Sequence, residues 1–191
     1  WVVRLLGLAL GASAYGCLGS YRRLTLAHLG DAMGQTLSPS QRRRIARRVF
    51  LNLGQTAMEW LRLPRLSFPQ IQRLIVGEGV EHLRRALAQG HGAILLTAHL
   101  GNWELITPYL TSLGFTGGVL ARRLRYPEYE TFLGSLRSRW EVQTFARGSL
   151  KEVARLLRAN QVIGVLPDQD VDSLEGIFVT FFGRAAYTPI G

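Results

Sequence analysis

The sequence predicts an α/β fold: a central mostly parallel or mixed sheet flanked by helices and preceded by a helical N-terminal arm. From Gly77 onward, short apolar runs alternate with helical segments of about ten residues, a pattern typical of crossover units and a parallel sheet. Before that point the sequence is helical in pattern. We therefore predict a helical arm over residues 1–76 and an α/β core over residues 77–191, both parts of one domain. The chain starts without methionine and stops soon after a dense apolar motif, so we expect the core to be truncated at its C-terminus.

The first 19 residues, WVVRLLGLALGASAYGCLG, are apolar or small and carry a single charge, Arg4. Three interpretations remain open. The segment is part of a membrane helix, a signal peptide with Ala12-Ser13-Ala14 as its cleavage site, or a buried or interfacial helix. A membrane-associated helix is the interpretation that we favour.

A second helix is predicted between Ser38 and Pro64. Ser38 and Gln41 have the spacing of a capping box, and apolar residues follow at helical spacing. The first turns are crowded with arginines, although positive charge there opposes the helix dipole. Either an anionic surface lies nearby or the arginines form a solvated face; they are Arg42, Arg43, Arg44, Arg47 and Arg48.

The net charge of +10 arises from 23 basic and 13 acidic residues. This excess favours an anionic partner, namely nucleic acid, a membrane surface or a phosphorylated substrate. No nucleic-acid recognition motif is present and aromatic residues are not interleaved with the basic runs, so no nucleic-acid partner is expected. Cys17 is the only cysteine, which excludes an internal disulfide and a multi-cysteine zinc site. No metal and no cofactor are predicted.

In the core, the pattern predicts alternating elements. The predicted strands are Ala93–Thr97, Gly118–Ala121, Val142–Phe145, Val162–Leu166 and Ile177–Phe181. The predicted helices are Val80–Gln89, Asn102–Leu113, Glu128–Trp140 and Leu150–Ala159.

The stretch TAHLGNWEL, residues 97–105, contains the strongest candidate site. His99 follows a predicted strand, and ligands of such sheets bind beyond the carboxyl ends of the strands. On one helix His99 and Glu104 would lie about 140° apart. We therefore expect His99 in a loop with Glu104 reaching back to it, and Gly101 permitting the turn. A carboxylate on one imidazole nitrogen fixes the tautomer, so that the other nitrogen can take a proton from a hydroxyl. The alternative is a capped helix with a satisfied structural histidine.

Asp168 follows another predicted strand and faces the same end of the sheet; it binds substrate polar groups or caps a turn. No G-x-S-x-G elbow, P-loop or G-x-G-x-x-G motif is present. Phe178, Phe181 and Phe182 are interpreted as core residues or as the apolar wall of a binding site.

Several motifs occur in a characteristic order from about Tyr21 to the end. They are Tyr21-Arg22-Arg23, SPSQRRRIARRVFLNLGQTAMEWLRL, the His-x4-Glu box, LARRLRYP, VLPDQD and FVTFFGRAAYTP. In this ordered set the chain resembles the bacterial lipid A biosynthesis acyltransferases, the lauroyl and myristoyl transferases of the lysophospholipid acyltransferase superfamily. The resemblance implies a glycerolipid-acyltransferase-like fold. Three positions depart from the family pattern: Tyr126, Glu141 and Thr180 stand where asparagine, glycine and proline are usual.

The resemblance implies acyl transfer from an acyl carrier protein or acyl-CoA thioester to a hydroxyl of a lipid A precursor or related phosphorylated glycolipid. By the same resemblance His99 is the general base, Glu104 orients it, and Arg122 holds a phosphate or the phosphopantetheine. Asp168, Trp103 and Asn102 are candidate substrate-binding residues. The implied location is the cytoplasmic face of the bacterial inner membrane.

Two alternatives remain. The acceptor is a glycerolipid, an ornithine lipid or a mannosylated inositol lipid, or the chain is a noncatalytic basic module that binds a membrane surface.

Overall fold

A computed structural model describes residues 1–121, 126–146, 148–169 and 176–189. The chain forms two compact units, which we call the arm unit, Trp1–Arg62 with Gln169–Gly191, and the sheet unit, Leu63–Asp168. The predicted boundary between residues 76 and 77 falls inside the sheet unit. That residues 1–76 and residues 77–191 belong to one domain stays a prediction.

The arm unit begins with helices α1 (Val2–Cys17), α2 (Gly19–Met33) and α3 (Pro39–Arg62). The start of α3 has the predicted capping box. The backbone N–H of Ser38 donates to Gln41 Oε1 at 2.7 Å, and the N–H of Gln41 donates to Ser38 Oγ at 3.3 Å. These two bonds satisfy donors that the first turn of a helix leaves unpaired.

Helices α1 and α3 pack closely because glycines line their contact. A Cβ added to Gly11 would lie 2.4 Å from the Phe50 carbonyl oxygen, and one added to Gly54 would lie 2.3 Å from the Gly7 oxygen. Small residues four apart permit this kind of backbone approach, which is frequent between membrane helices. Other side chains of α1 are exposed and apolar, namely Val2, Leu5, Leu6 and Leu10.

Among the described residues, no individual helix has both the length and the apolar character to cross a membrane. The pair α1 and α2 meets those two criteria only when taken together, and it is bent by 89° between the helices.

The arm unit also contains the antiparallel hairpin of β5 (Gly176–Phe181) and β6 (Arg184–Pro189). Strand β5 was predicted and β6 was not. Phe182 and Gly183 both have positive φ, which is typical of the tight turns that join twisted strands. Arg184 forms an ion pair with Asp31 of α2. Phe178, Phe181 and Phe182 are exposed, so the interpretation of these residues as core is wrong.

The sheet unit holds a four-stranded parallel sheet with the order β1-β4-β2-β3. This arrangement, flanked by helices and preceded by the helical arm, confirms the predicted fold class. Its strands are β1 (Ala93–Leu96), β2 (Gly117–Leu120), β3 (Gln143–Phe145) and β4 (Val162–Val165). Its helices are α4 (Phe68–Leu74), α5 (Val80–Leu87), α6 (Ile106–Ser112), α7 (Pro127–Arg139) and α8 (Leu150–Arg158), with short 3-10 turns at Leu63–Arg65 and Trp103–Leu105.

A buried apolar cluster joins the sheet to its helices. Val119 of β2 and Val142 beside β3 pack with Leu136 and Trp140 at the end of α7 and with Ile71 of α4. Burial of several large side chains of this kind contributes about 1.5–3 kcal/mol each. The cluster therefore fixes the end of α7 against the sheet.

Helices α7 and α8 end at residues with a left-handed backbone, Glu141 (φ 56°) and Asn160 (φ 57°). After α7, the N–H of Val142 donates to the carbonyl of Arg137 at 3.0 Å, and the N–H of Glu141 donates to that of Ser138. This is the Schellman pattern, in which the left-handed position usually holds glycine. The glycine that is usual in the family at position 141 suits this backbone better than the glutamate present here.

Candidate active site

The candidate site lies where β1 and β4, adjacent parallel strands, reach their carboxyl ends. Leu96 and Val165 are register partners in the sheet, and the N–H of Thr97 extends the ladder by donating to the Val165 carbonyl at 2.9 Å. His99 stands three residues after the end of β1, and Asp168 three residues after the end of β4. Equal distances from paired strand ends bring these two residues together.

His99 and Asp168 form a two-point contact. Asp168 Oδ1 lies 2.7 Å from His99 Nδ1, and Asp168 Oδ2 accepts the backbone N–H of His99 at 2.8 Å. An ionised carboxylate only accepts hydrogen bonds, so Nδ1 carries a proton and Nε2 holds the lone pair of the neutral ring. The side chain of His99 is 25% exposed, which leaves the imidazole open to a ligand.

The pKa of Asp168 lies below its ordinary value. Burial of the carboxyl opposes ionisation and would raise the pKa. The hydrogen bonds from the ring and the backbone N–H of His99, together with the positive charge of the ring when it is protonated, outweigh this effect and lower the pKa. Asp168 is therefore ionised at neutral pH, which keeps it an acceptor for Nδ1.

Glu104 does not reach back to His99, and the expected contact between them is wrong. Among the described residues, the carboxylate of Glu104 pairs with Arg137 of α7, at 2.5 Å to Nη2 and 3.1 Å to Nε. The side chain of Glu104 is 3% exposed and that of Arg137 is 14% exposed. The 3-10 turn Trp103–Leu105 directs Glu104 into the protein, where a buried carboxylate needs a cationic partner.

The remaining predicted site residues have different positions. His99 lies in a loop, as predicted, and Gly101 has the positive φ expected for the turn (57°). The ring of Trp103 contacts that of His99 edge to face, with centroids 4.8 Å apart. Asn102 precedes the 3-10 turn, and its carbonyl accepts the N–H of Leu105. Arg122 lies outside the described residues.

Two features of the site were missed at the sequence level. The pairing of His99 with Asp168 requires knowing that β1 and β4 are neighbours, although both residues were placed at the same end of the sheet. Arg137 gave no signal, because a basic residue in the last turn of a helix is expected from the helix dipole alone. Its role depends on the packing of α7 against the sheet.

A histidine held by a carboxylate in this way can act as a general base. Nε2 can accept a proton from a hydroxyl while Asp168 stabilises the imidazolium that forms. Among the described residues, no group of three or more histidines, cysteines and carboxylates could hold a metal ion.

Comparison with known proteins gives the family. A family described as bacterial lipid A biosynthesis acyltransferase matches residues 3–191 of the chain. The chain belongs to this family. The match with the lipid A biosynthesis acyltransferase family includes residues of both the arm unit and the sheet unit.

Two similar curated proteins are phosphatidylinositol mannoside acyltransferases. Within the lipid A acyltransferase family, the chain is 32% identical over 146 residues to a phosphatidylinositol mannoside acyltransferase of Mycobacterium tuberculosis, covering 72% of this chain and 46% of the relative. It is 29% identical over 153 residues to the protein of the same name from Mycolicibacterium smegmatis, covering 73% of this chain and 48% of the relative. The chain thus spans about half the length of the curated relatives it matches.

Proposed function

We propose that the protein is an O-acyltransferase that moves a fatty acyl chain from a thioester to a hydroxyl of a phosphate-bearing glycolipid. The observation that carries the proposal is the His99–Asp168 pair at the carboxyl ends of two adjacent parallel strands. Membership of the acyltransferase family supports the reaction class. A thioester supplies its own leaving group, so a positioned base is enough and no protein nucleophile is needed.

In the proposed reaction His99 Nε2 takes the proton of the acceptor hydroxyl as its oxygen attacks the thioester carbonyl. The tetrahedral intermediate collapses by breaking the C–S bond, and the thiolate leaves with the proton from the imidazolium. Asp168 holds Nδ1–H throughout and stabilises the charged ring. Glu104, assigned by resemblance as the orienting residue, instead supports the site by its ion pair with Arg137.

The relatives favour a mannosylated phosphatidylinositol as the acceptor, since those with 32% and 29% identity are both named phosphatidylinositol mannoside acyltransferases. A lipid A precursor is the second candidate, and the family description favours it. Both acceptors are phosphorylated glycolipids with sugar hydroxyls. Arg122 remains the proposed phosphate or phosphopantetheine contact, with an acyl carrier protein or acyl-CoA as the donor.

The arm unit supports a location at the cytoplasmic face of the bacterial inner membrane. Residues 1–62 hold nine arginines and two acidic residues, and basic segments are attracted to anionic lipid surfaces. Exposed leucines of α1 and exposed arginines of α3, including Arg43 and Arg47, provide apolar and cationic contacts in one unit. We propose that this unit holds the enzyme at the membrane where its lipid acceptor resides.

The proposal is tested by incubating the full-length protein in membranes with a labelled acyl carrier protein or labelled acyl-CoA. Phosphatidylinositol mannosides, a lipid A precursor and a lysophospholipid are offered separately as acceptors. Wild type, His99→Ala and Asp168→Asn are compared, with His82→Ala as the control because His82 is an exposed histidine outside the site.

We expect label to move to a phosphatidylinositol mannoside in the wild type and in His82→Ala. Loss of the base costs about 10²–10⁴-fold in rate, and Asp168→Asn should fall in the same range. Transfer to the lipid A precursor alone would replace the acceptor. Transfer that His99→Ala leaves unchanged would overturn the mechanism, and the absence of transfer to any acceptor would favour a noncatalytic membrane-binding module.

A further inference from the structure

Among the described residues, Asp168 bonds the imidazole of His99 at its Nδ1 edge. The bond from Nδ1 to Oδ1 and the bond from the backbone N–H to Oδ2 fix that nitrogen and the main chain. A hydrogen bond tolerates a range of angles, so these bonds permit small rotations of the ring about the Cβ–Cγ bond. Such rotations change the direction of the Nε2 lone pair, and base catalysis is sensitive to that direction.

Trp103 supplies a second contact on the same ring. The centroids of Trp103 and His99 are 4.8 Å apart and the ring planes meet at 70°. Both values are typical of an edge-to-face aromatic pair, an arrangement worth about 0.5–1.5 kcal/mol beyond the burial of area. Held between Asp168 and Trp103, the imidazole has one preferred plane.

Trp103 is itself fixed by the residue that follows it. Trp103 and Glu104 belong to the same 3-10 turn, Trp103–Leu105. Glu104 is clamped by two hydrogen bonds from Arg137, whose helix α7 is anchored through the buried Leu136. The ion pair therefore holds the turn, and the turn presents the indole to the imidazole.

We propose that Trp103 is a positioning residue for His99, and that Glu104 and Arg137 act on the imidazole through it. This gives Glu104 an influence on catalysis without contact with the histidine. The inference rests on the proposed function for its kinetic consequences, whereas the ring contact is measurable without any substrate.

The test compares Trp103→Leu, which removes the aromatic ring, with Trp103→Phe, which keeps one. In the acyl-transfer assay we expect Trp103→Leu to lower kcat about 10- to 100-fold, the range seen when a reacting group is slightly misplaced, with little change in KM. Trp103→Phe should recover most of the loss.

NMR of the full-length protein with labelled histidines and tryptophans, of which this chain holds four each, provides the substrate-free measurement. Wild type should show a cross-peak between His99 and Trp103 ring protons, and a single tautomer protonated at Nδ1. Trp103→Leu should show a mixture of tautomers, and Trp103→Phe a single one. The absence of the cross-peak in wild type would overturn the inference even if Trp103→Leu fails to fold. An unchanged kcat together with an unchanged tautomer in a folded Trp103→Leu variant would also overturn the inference.

The proposed acyltransferase function and the positioning role of Trp103 can fail independently of each other. If wild type transfers no acyl group to any acceptor, the proposed function fails, and the NMR measurements still decide whether Trp103 positions the ring.

Discussion

The Glu104–Arg137 ion pair offers the sharpest test of the site, because removing either partner leaves a largely buried charge unpaired. Glu104→Gln keeps the shape of the side chain and removes its charge, leaving a guanidinium that is only 14% exposed without a counter-charge. Breaking a buried pair in this way costs about 3–5 kcal/mol. Arg137→Met strands a carboxylate that is 3% exposed, so we expect it to cost at least as much. Either loss is large beside a total stability of about 5–15 kcal/mol.

The assay is urea unfolding followed by tryptophan fluorescence, for wild type, both single variants and the double variant Glu104→Gln/Arg137→Met. The double variant should lose less than the sum of the two single losses, because it strands neither charge, and residues in direct contact couple by about 0.5–3 kcal/mol. Where the protein remains folded, Glu104→Gln should retain more acyl transfer than Asp168→Asn.

Two results would refute this reasoning. Additive losses in the double variant would mean that the two side chains are not paired. A Glu104→Gln protein as stable as wild type and as inactive as His99→Ala would mean that Glu104 acts directly on the histidine.

Three further predictions concern single positions. Because the pKa of Asp168 is lowered in the fold, its carboxylate stabilises the protein above the ordinary aspartate pKa of about 4. That contribution is lost as the pH falls from the ordinary pKa through the lower folded pKa, so the difference in unfolding free energy between wild type and Asp168→Asn should shrink as the pH falls below about 4; a constant difference would contradict it. Glu141→Gly should raise the melting temperature, since a left-handed backbone costs a non-glycine residue about 1–2 kcal/mol and the added chain entropy offsets only part of that; calorimetry that finds a lower melting temperature would reject the strain. Gly54→Ala should destabilise the α1–α3 contact by about 1–3 kcal/mol through overpacking, whereas Gly16→Ala, with no atom within 4 Å of the added Cβ, should be neutral or stabilising; equal thermal melts of these two variants would contradict the close packing.

Local pattern was enough to predict much of the secondary structure. The capping box at Ser38 and Gln41 depends on residues three apart, and the predicted strand beginning at Ala93 ends within one residue of the observed one. The loop position of His99 and the turn at Gly101 follow from the same short-range constraints of backbone geometry. Such features require only neighbours in the chain, which a sequence displays directly.

The partners of the site residues depend on the order of the strands. Sequence placed His99 and Asp168 at the same end of the sheet, but only the order β1-β4-β2-β3 makes their strands adjacent and brings the carboxylate to the imidazole. A spacing of five residues made Glu104 the obvious partner of His99, yet the 3-10 turn directs it to Arg137, 33 residues away along the chain. Hydrogen bonds over such separations are fixed by how α7 and the strands pack, and the packing energy is a property of the assembled core.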